Sequence, residues 1–327
     1  MGATYYEKQE RVGYVWRPAL HYGLAYTLFA LTIRALREEV YRVPDIFIAG
    51  FGFGGFCVLS WSLWSAGQRR RARHGPKPQK TTANIVSGFA AVTIVGATVM
   101  AFLFRDVSIL LALLLMRLGV LMLAPFIDRF SGRMPSKAAL LAAAICGLGC
   151  ISGSMTNTFS ALSWPVSGVL CIYLTGYAVR LSLMTRYAKT PVRSARGDWF
   201  MIEVQITAFV MLLISTLMLA QRLTSSPDFI LREWQALTAS LLCGLAYGYA
   251  FVHGTLIYLD WRDNVRAVTI NRSASLLAGV MASLIGWALL GMNMPTFREW
   301  MLAGFMAVAL FIMGADSLKP IFKSPPR

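Results

Sequence analysis

The sequence predicts an all-α integral membrane protein with ten transmembrane helices, arranged as two inverted five-helix repeats. Three observations predict it. The composition is too apolar for a soluble chain. Ten apolar runs have the length a bilayer requires. Polar residues also recur at a nearly constant offset between the two halves.

The composition sets the class. Of 327 residues, 57% are hydrophobic and only 14% are charged, against roughly 25% charged in a soluble domain. The mean hydropathy is +0.58. A soluble enzyme, a disordered chain and a disulfide-stapled module are excluded on these grounds. Lys and Arg outnumber Asp and Glu by 31 to 15, giving a formal charge of +16. The basic residues lie almost entirely between apolar runs, where they set topology and meet anionic headgroups. No nucleic-acid-binding motif accompanies them, so the lipid bilayer, not nucleic acid, is the expected partner. The five cysteines, Cys57, Cys146, Cys150, Cys171 and Cys243, lie inside apolar runs. No Cys/His spacing fits a metal, and neither cofactor nor metal is expected.

A spanning helix needs about 20 apolar residues. Candidate spans fall at 18–35, 45–66, 83–104, 107–127, 137–153, 164–185, 199–221, 235–258, 267–290 and 298–315. Residues 1–17 lack a continuous apolar core, so no cleavable signal is expected and the first span serves as insertion signal. With the N-terminus inside, the cytoplasmic segments hold 21 Lys or Arg and the opposite side seven. That bias predicts both termini in the cytoplasm and an even number of spans; short loops without glycosylated or trafficking segments favour a bacterial cytoplasmic (inner) membrane. The predicted organisation is an N-terminal segment 1–17, a first repeat 18–160, a second repeat 161–315 and a cytoplasmic tail 316–327. Oligomeric state stays open, a homodimer among the options.

The repeat rests on ordered polar matches. Leu31-Thr32-Ile33-Arg34 pairs with Leu183-Met184-Thr185-Arg186, and Asp45 with Asp198. Arg105-Asp106 pairs with Arg262-Asp263, and Arg117 with Arg272. Five helices per repeat is an odd number, so the second repeat is expected to run inverted. Inverted repeats are recurrent in secondary transporters and place a binding site near the midplane.

Ten helices as five plus five with short loops resemble the drug/metabolite transporter superfamily, and most closely its EamA-like members, from about residue 18 to 315. Local support lies in Ala124-Pro125-Phe126-Ile127 followed by Gly132-Arg133-Met134-Pro135-Ser136, which resembles the family's Pro-containing fourth helix and its Gly-Glu turn. Gly291-Met292 ahead of Pro295-Thr296 holds the same place in the second half. The family's Gly-Glu is here Gly132-Arg133 and Gly291-Met292, and the second-half Pro is missing, which makes the chain a divergent member. The resemblance implies secondary transport by alternating access. It also implies that Asn271-Arg272 stands near where related nucleotide-sugar and sugar-phosphate carriers hold phosphate.

Residues that carry chemistry are few. Arg117, Arg180 and Arg272 are the basic residues inside spans. Each is unfavourable by about 2.5–3.5 kcal/mol at a helix centre. Glu203 is the one clearly intramembrane acid, so it can neutralise a single arginine; pairing with Arg180 and proton coupling are both open to it. Two guanidiniums remain, and a carboxylate or phosphate suits them. The expected substrate site therefore comprises Arg117, Arg272, Arg180, Asn271, Glu203 and Tyr26, on a cavity lined by the first, fourth, sixth, seventh and ninth helices. Tyr26 enters through the i,i+4 pairs Tyr22/Tyr26 and Tyr173/Tyr177 on repeat-equivalent helices. The expected ligand is a small anionic metabolite or a lipid-linked phosphate, and no catalytic residue is assigned. Two readings stand beside transport. One is a scaffold or accessory subunit that keeps the fold, with the arginines locking helices. The other is an integral-membrane transferase, against which the scattered acids and the absence of an Asp-rich cluster argue.

Overall fold

The computed structural model describes residues 15–35, 44–71, 82–103, 109–154, 164–189, 193–226, 228, 233–291 and 297–322. Among the described residues, ten α-helices follow in chain order. They are α1 (Trp16–Ala35), α2 (Pro44–Arg71), α3 (Thr82–Leu103), α4 (Ile109–Phe130) and α5 (Lys137–Ser154). The second set is α6 (Trp164–Leu183), α7 (Arg193–Ser225), α8 (Trp234–Tyr258), α9 (Asn264–Leu290) and α10 (Phe297–Phe322). The Arg105-Asp106 pair and the Pro295-Thr296 turn lie outside the described residues.

Among the described residues, six helices are long and apolar enough to cross a membrane: α2, α3, α6, α7, α8 and α9. Two shorter apolar stretches, Lys137–Ser152 and Ala303–Ala315, lie in α5 and α10. The chain is a multi-pass, all-helical membrane protein. Its outer surface fits that setting. On α1, Leu20, Leu24 and Leu28 are more than half exposed, while Tyr22, Tyr26, Phe29 and Ile33 on the other side of the same helix are buried.

Helix neighbours follow a regular scheme. The first helix packs on α8 and α9, and α6 packs on α3 and α4. The pairs α2–α8 and α3–α7 are in contact, as are α4–α5 and α9–α10. Four further pairs, α2–α7, α4–α9, α5–α9 and α5–α10, join the two halves directly. The α2–α8 seam is closest. A Cβ on Gly244 would run into the Phe51 carbonyl, and one on Gly54 into the Leu241 carbonyl. Small residues let two backbones approach where lipid supplies no hydrophobic drive.

The helix ends are set by short-range chemistry. Gly132 has φ +69°, a conformation glycine adopts without a Cβ penalty. The Gly132 amide donates to the Arg129 carbonyl at 3.1 Å and the Arg133 amide to the Asp128 carbonyl at 2.8 Å. This is the paired closure of a Schellman C-cap. Ser136 then accepts the Ala139 amide at 3.1 Å and opens α5. Asp263, in extended backbone, caps α9 by accepting the Arg266 amide at 2.7 Å. The sixth helix ends in a π-helical turn, Met184–Ala188, closed by the Lys189 amide on the Met184 carbonyl at 2.8 Å.

These ends converge on one buried polar cluster. The Asp128 carboxylate accepts the Asn264 and Val265 backbone amides and the Asn264 side-chain amide at 2.7–3.0 Å. The Asn264 amide also donates to Thr185 Oγ1 at 2.7 Å. Arg133 reaches across with four bonds, to the Trp261, Arg262, Thr185 and Lys189 carbonyls at 3.0–3.1 Å. Lys189 is 4% exposed, and its Nζ has no hydrogen-bond partner. Burial pushes this amine down to about 8, against the pull of Asp260, Asp128 and Asp263.

A lysine lowered from about 10.4 to about 8 makes folding less favourable when charged. The unfolded chain binds the extra proton between those values, so stability rises as pH climbs from about 8 to 10 and carries the full deficit below 8. Lys189→Met is therefore expected to stabilise the detergent-purified protein by about 2–3 kcal/mol at pH 7. The gain should shrink toward zero by pH 10, as read from unfolding midpoints across that range.

Candidate functional site

A cavity of ≈ 50 Å³ lies among α1, α3, α4, α6, α8 and α9. At roughly 10–15 Å³ per water, it holds a handful of waters or a small polar group. Five of the six site residues expected from the sequence line it: Tyr26, Arg117, Arg180, Asn271 and Arg272. They come from α1, α4, α6 and α9. The sixth, Glu203 on α7, is fully buried and stands behind Arg180 instead of on the lining. The seventh helix accordingly does not border the cavity. The third and eighth do, through Ile94 and Thr98 and through Tyr247, Phe251, Thr255 and Tyr258.

The three arginines are answered in different ways. Arg180 Nε donates to Glu203 Oε1 at 2.9 Å and Nη2 to Oε2 at 3.2 Å, a two-point grip on the carboxylate. The Ser87 hydroxyl donates to Glu203 Oε1 at 2.6 Å. Arg180 Nη2 also donates to Thr255 Oγ1 at 2.7 Å, and its guanidinium lies 5.2 Å from the Phe251 ring and 5.7 Å from Tyr258. Arg180 is neutralised and locked.

Arg117 and Arg272 are 3% and 4% exposed, and neither meets a carboxylate among the described residues. Each sits on an aromatic face instead. The Arg117 guanidinium is 5.2 Å from the Tyr26 ring centroid, and that of Arg272 is 4.8 Å from Tyr177. A desolvated cation–π contact contributes about 2 kcal/mol, which offsets part of the burial cost but supplies no negative charge. Arg272 Nε and Nη2 are buried without a hydrogen-bond partner. That is the same edge of the guanidinium with which Arg180 holds Glu203.

Aromatic residues complete the walls. Tyr173 packs on Tyr177 at 4.8 Å between centroids, Tyr177 on Tyr258 at 5.9 Å, and Tyr22 on Tyr26 at 5.6 Å. The Tyr258 hydroxyl donates to Asn271 Oδ1 at 2.9 Å, which leaves the Asn271 amide as a donor beside Arg272. The i,i+4 tyrosines on α1 and α6 thus face the cavity from two helices. Tyr247, Tyr258, Thr98 and Thr255 went unmarked in the sequence, because single hydroxyl residues in apolar helices are too common to signal a site.

His21 and His253 form a separate contact. Their rings stack at 4.9 Å across the α1–α8 seam, with Tyr249 Oη 3.2 Å from His21 Nδ1. Neither lines the cavity. Cys146, fully buried on α5, packs its sulfur 3.2 Å from that of Met306 on α10.

No family model and no curated relative matches the sequence. A solved structure described only as "Crystal structure of protein" matches over 94% of this chain and 99% of its own, with a TM-score of 0.56 at 15% identity. That likeness is one of fold.

Removing one member of a buried ion pair leaves an uncompensated charge and costs about 3–5 kcal/mol. Glu203→Leu and Arg180→Met should each lower thermal stability by that order. The double variant Arg180→Met/Glu203→Leu should recover most of it. A double-mutant cycle on unfolding midpoints checks the coupling; additive losses would show that the pair does not act as a lock.

Proposed function

We propose that the chain is a secondary transporter, a divergent EamA-like member of the drug/metabolite transporter superfamily, that carries a small anion by alternating access. It would have ten spans in two inverted five-helix repeats, with both termini in the cytoplasm of an inner membrane. The helix contacts favour two repeats. Exchanging α1–α5 with α6–α10 turns α1–α8 into α6–α3, α1–α9 into α6–α4, α2–α8 into α7–α3, and α4–α5 into α9–α10, and all of these pairs occur. Such a scheme makes two arrangements of one bundle similar in energy, which alternating access requires.

The single observation that carries the substrate class is the unpaired Nε/Nη2 edge of Arg272, next to Arg117 in one cavity. A planar guanidinium edge of this kind is shaped for a carboxylate or phosphate. Two buried positive charges without a carboxylate partner are stabilised when an anion enters, so ligand and helix bundle stabilise each other. Arg180, already held by Glu203, serves as wall and as a fixed donor frame. The cavity volume fits a small carboxylate or phosphate, or the head group of a lipid-linked phosphate, better than a whole nucleotide sugar.

A thermal-shift screen with carboxylates, amino acids, sugar phosphates, nucleotide sugars and polyprenyl phosphate tests the reading. One small anion class is expected to raise the unfolding midpoint, by about 2.7 kcal/mol of stabilisation at a hundredfold excess over Kd. Arg272→Met should abolish that response while unfolding no earlier than the parent without ligand, because it removes a buried unpaired charge. Arg272→Lys should retain only part of it, lacking the two-point edge. If no anion stabilises the parent, and Arg272→Met unfolds early, Arg272 is a helix lock and the transport reading falls.

A further inference from the structure

The three cavity arginines ride on α4, α6 and α9, and these three helices meet again at one end of the bundle. Asp128 lies eleven residues beyond Arg117 on α4, about 16 Å along the axis. Thr185 and Lys189 follow Arg180 on α6 and its π-helical turn, and Asn264 opens α9 eight residues before Arg272. The Asp128 carboxylate binds α4 to the first turn of α9. The Asn264 side chain binds α9 to Thr185. Arg133 binds the α4–α5 turn to the end of the π-turn and to the α8–α9 corner. Each of these bonds crosses between elements. Asp128 and Asn264 are fully buried and Thr185 is 3% exposed, so this end of the cavity is shut.

The opposite ends of the same helices are chemically different. The fourth helix begins Ile109-Leu110-Leu111, α6 begins Trp164-Pro165-Val166-Ser167-Gly168, and α9 ends Gly286-Trp287-Ala288-Leu289-Leu290, with no ionisable side chain among them. Trp164 and Leu289 there are 89% and 76% exposed. One end is closed by directional polar bonds; at the other, among the described residues, these three helices make none from charged groups, and the ion pair on that side, Arg222 with Asp45 at 3.3 Å, joins α7 to α2.

Polar closure is reversible in a way that apolar closure is not. Water entering a parted cluster replaces each lost hydrogen bond with another. The shut cluster also contains groups that gain from opening, since Lys189 Nζ and Asn264 Oδ1 are buried without partners. Both features keep the shut and parted arrangements close in free energy, the condition for a two-state element.

We propose that Asp128, Arg133, Thr185, Lys189 and Asn264 form the gate at the end of the pathway that the basic residues assign to the cytoplasm. The gate is shut in this structure and access runs from the other side. The inference rests on the transport reading, and it assigns a residue set to the step that reading requires.

Side-specific labelling of a cavity cysteine tests it. Thr98→Cys, which faces the cavity, is expected to react with a membrane-impermeant maleimide in right-side-out vesicles, with the unsubstituted protein as blank. Asp128→Asn or Arg133→Gln in the same chain should raise labelling in inside-out vesicles at least tenfold. Thr185→Val, which removes only the hydroxyl that accepts the Asn264 amide, should shift labelling the same way by a few-fold. Folded gate variants that leave the labelled side unchanged would overturn the proposal. Labelling of Thr98→Cys from the cytoplasmic side that is as fast with the gate residues intact as with them substituted would do the same. Loss of folding in all three variants would also overturn it, by making the cluster a fold determinant. No ligand enters this assay, so a failed anion screen and a failed gate are separate results.

Discussion

Buried positive charge is the constraint on which the rest of this structure depends. A guanidinium inside an apolar bundle must be matched by a carboxylate, by an aromatic face, or by something brought in from outside. Arg180 takes the Glu203 carboxylate and fixes α6 to α7 and, through Ser87, to α3. Arg117 and Arg272 receive tyrosine faces instead. The quadrupole of a ring lowers the cost of burial without cancelling charge. The positive balance of the cavity and the tyrosines around it therefore have one cause.

The same helices connect the cavity to the polar cluster at their ends. A change in α4, α6 or α9 that reshapes the guanidinium arrangement acts on Asp128, Thr185 and Asn264 through rigid rods of a few turns each. Close seams elsewhere oppose any general loosening. At the α2–α8 contact, glycines bring the backbones together so tightly that there is no room for a Cβ. On the gating proposal, the seams held by hydrogen bonds are the ones that part, and those held by backbone contact stay closed. The π-helical turn at the end of α6 fits this division. Its Thr185 carbonyl and that of Lys189, just past it, both accept from Arg133, and such turns often mark functional positions.

Much of the layout was legible before any coordinates. Span positions followed from apolar run length, and the helices begin and end within a few residues of those limits except where α2, α7 and α10 run on past their apolar stretches. The Gly132–Ser136 turn was readable because glycine, proline and serine each have a narrow backbone use. Arg117, Arg180 and Arg272 stood out because charge inside a span is rare. Less legible was the lining. Thr98, Tyr247, Thr255 and Tyr258 carry polar groups that any apolar helix tolerates, so nothing in their spacing separates a cavity wall from a helix contact. The position of α7 behind Arg180 was likewise hidden, since Glu203 alone does not say which side of its partner it occupies.

By itself, the sequence determined that this chain lives in a membrane, where its helices run, and that its spans hold more positive charge than negative. Those properties depend on composition and on local chain chemistry. Only the tertiary structure decided which arginine took Glu203, which ones were left to tyrosines, and that three helix ends meet around Asp128. A helix apolar on all sides carries no periodic signal for its rotation. Which face turns inward is settled by how neighbouring surfaces fit, and Arg180 finds Glu203 23 residues away because α6 and α7 are oriented by contacts with α3, α4 and α2.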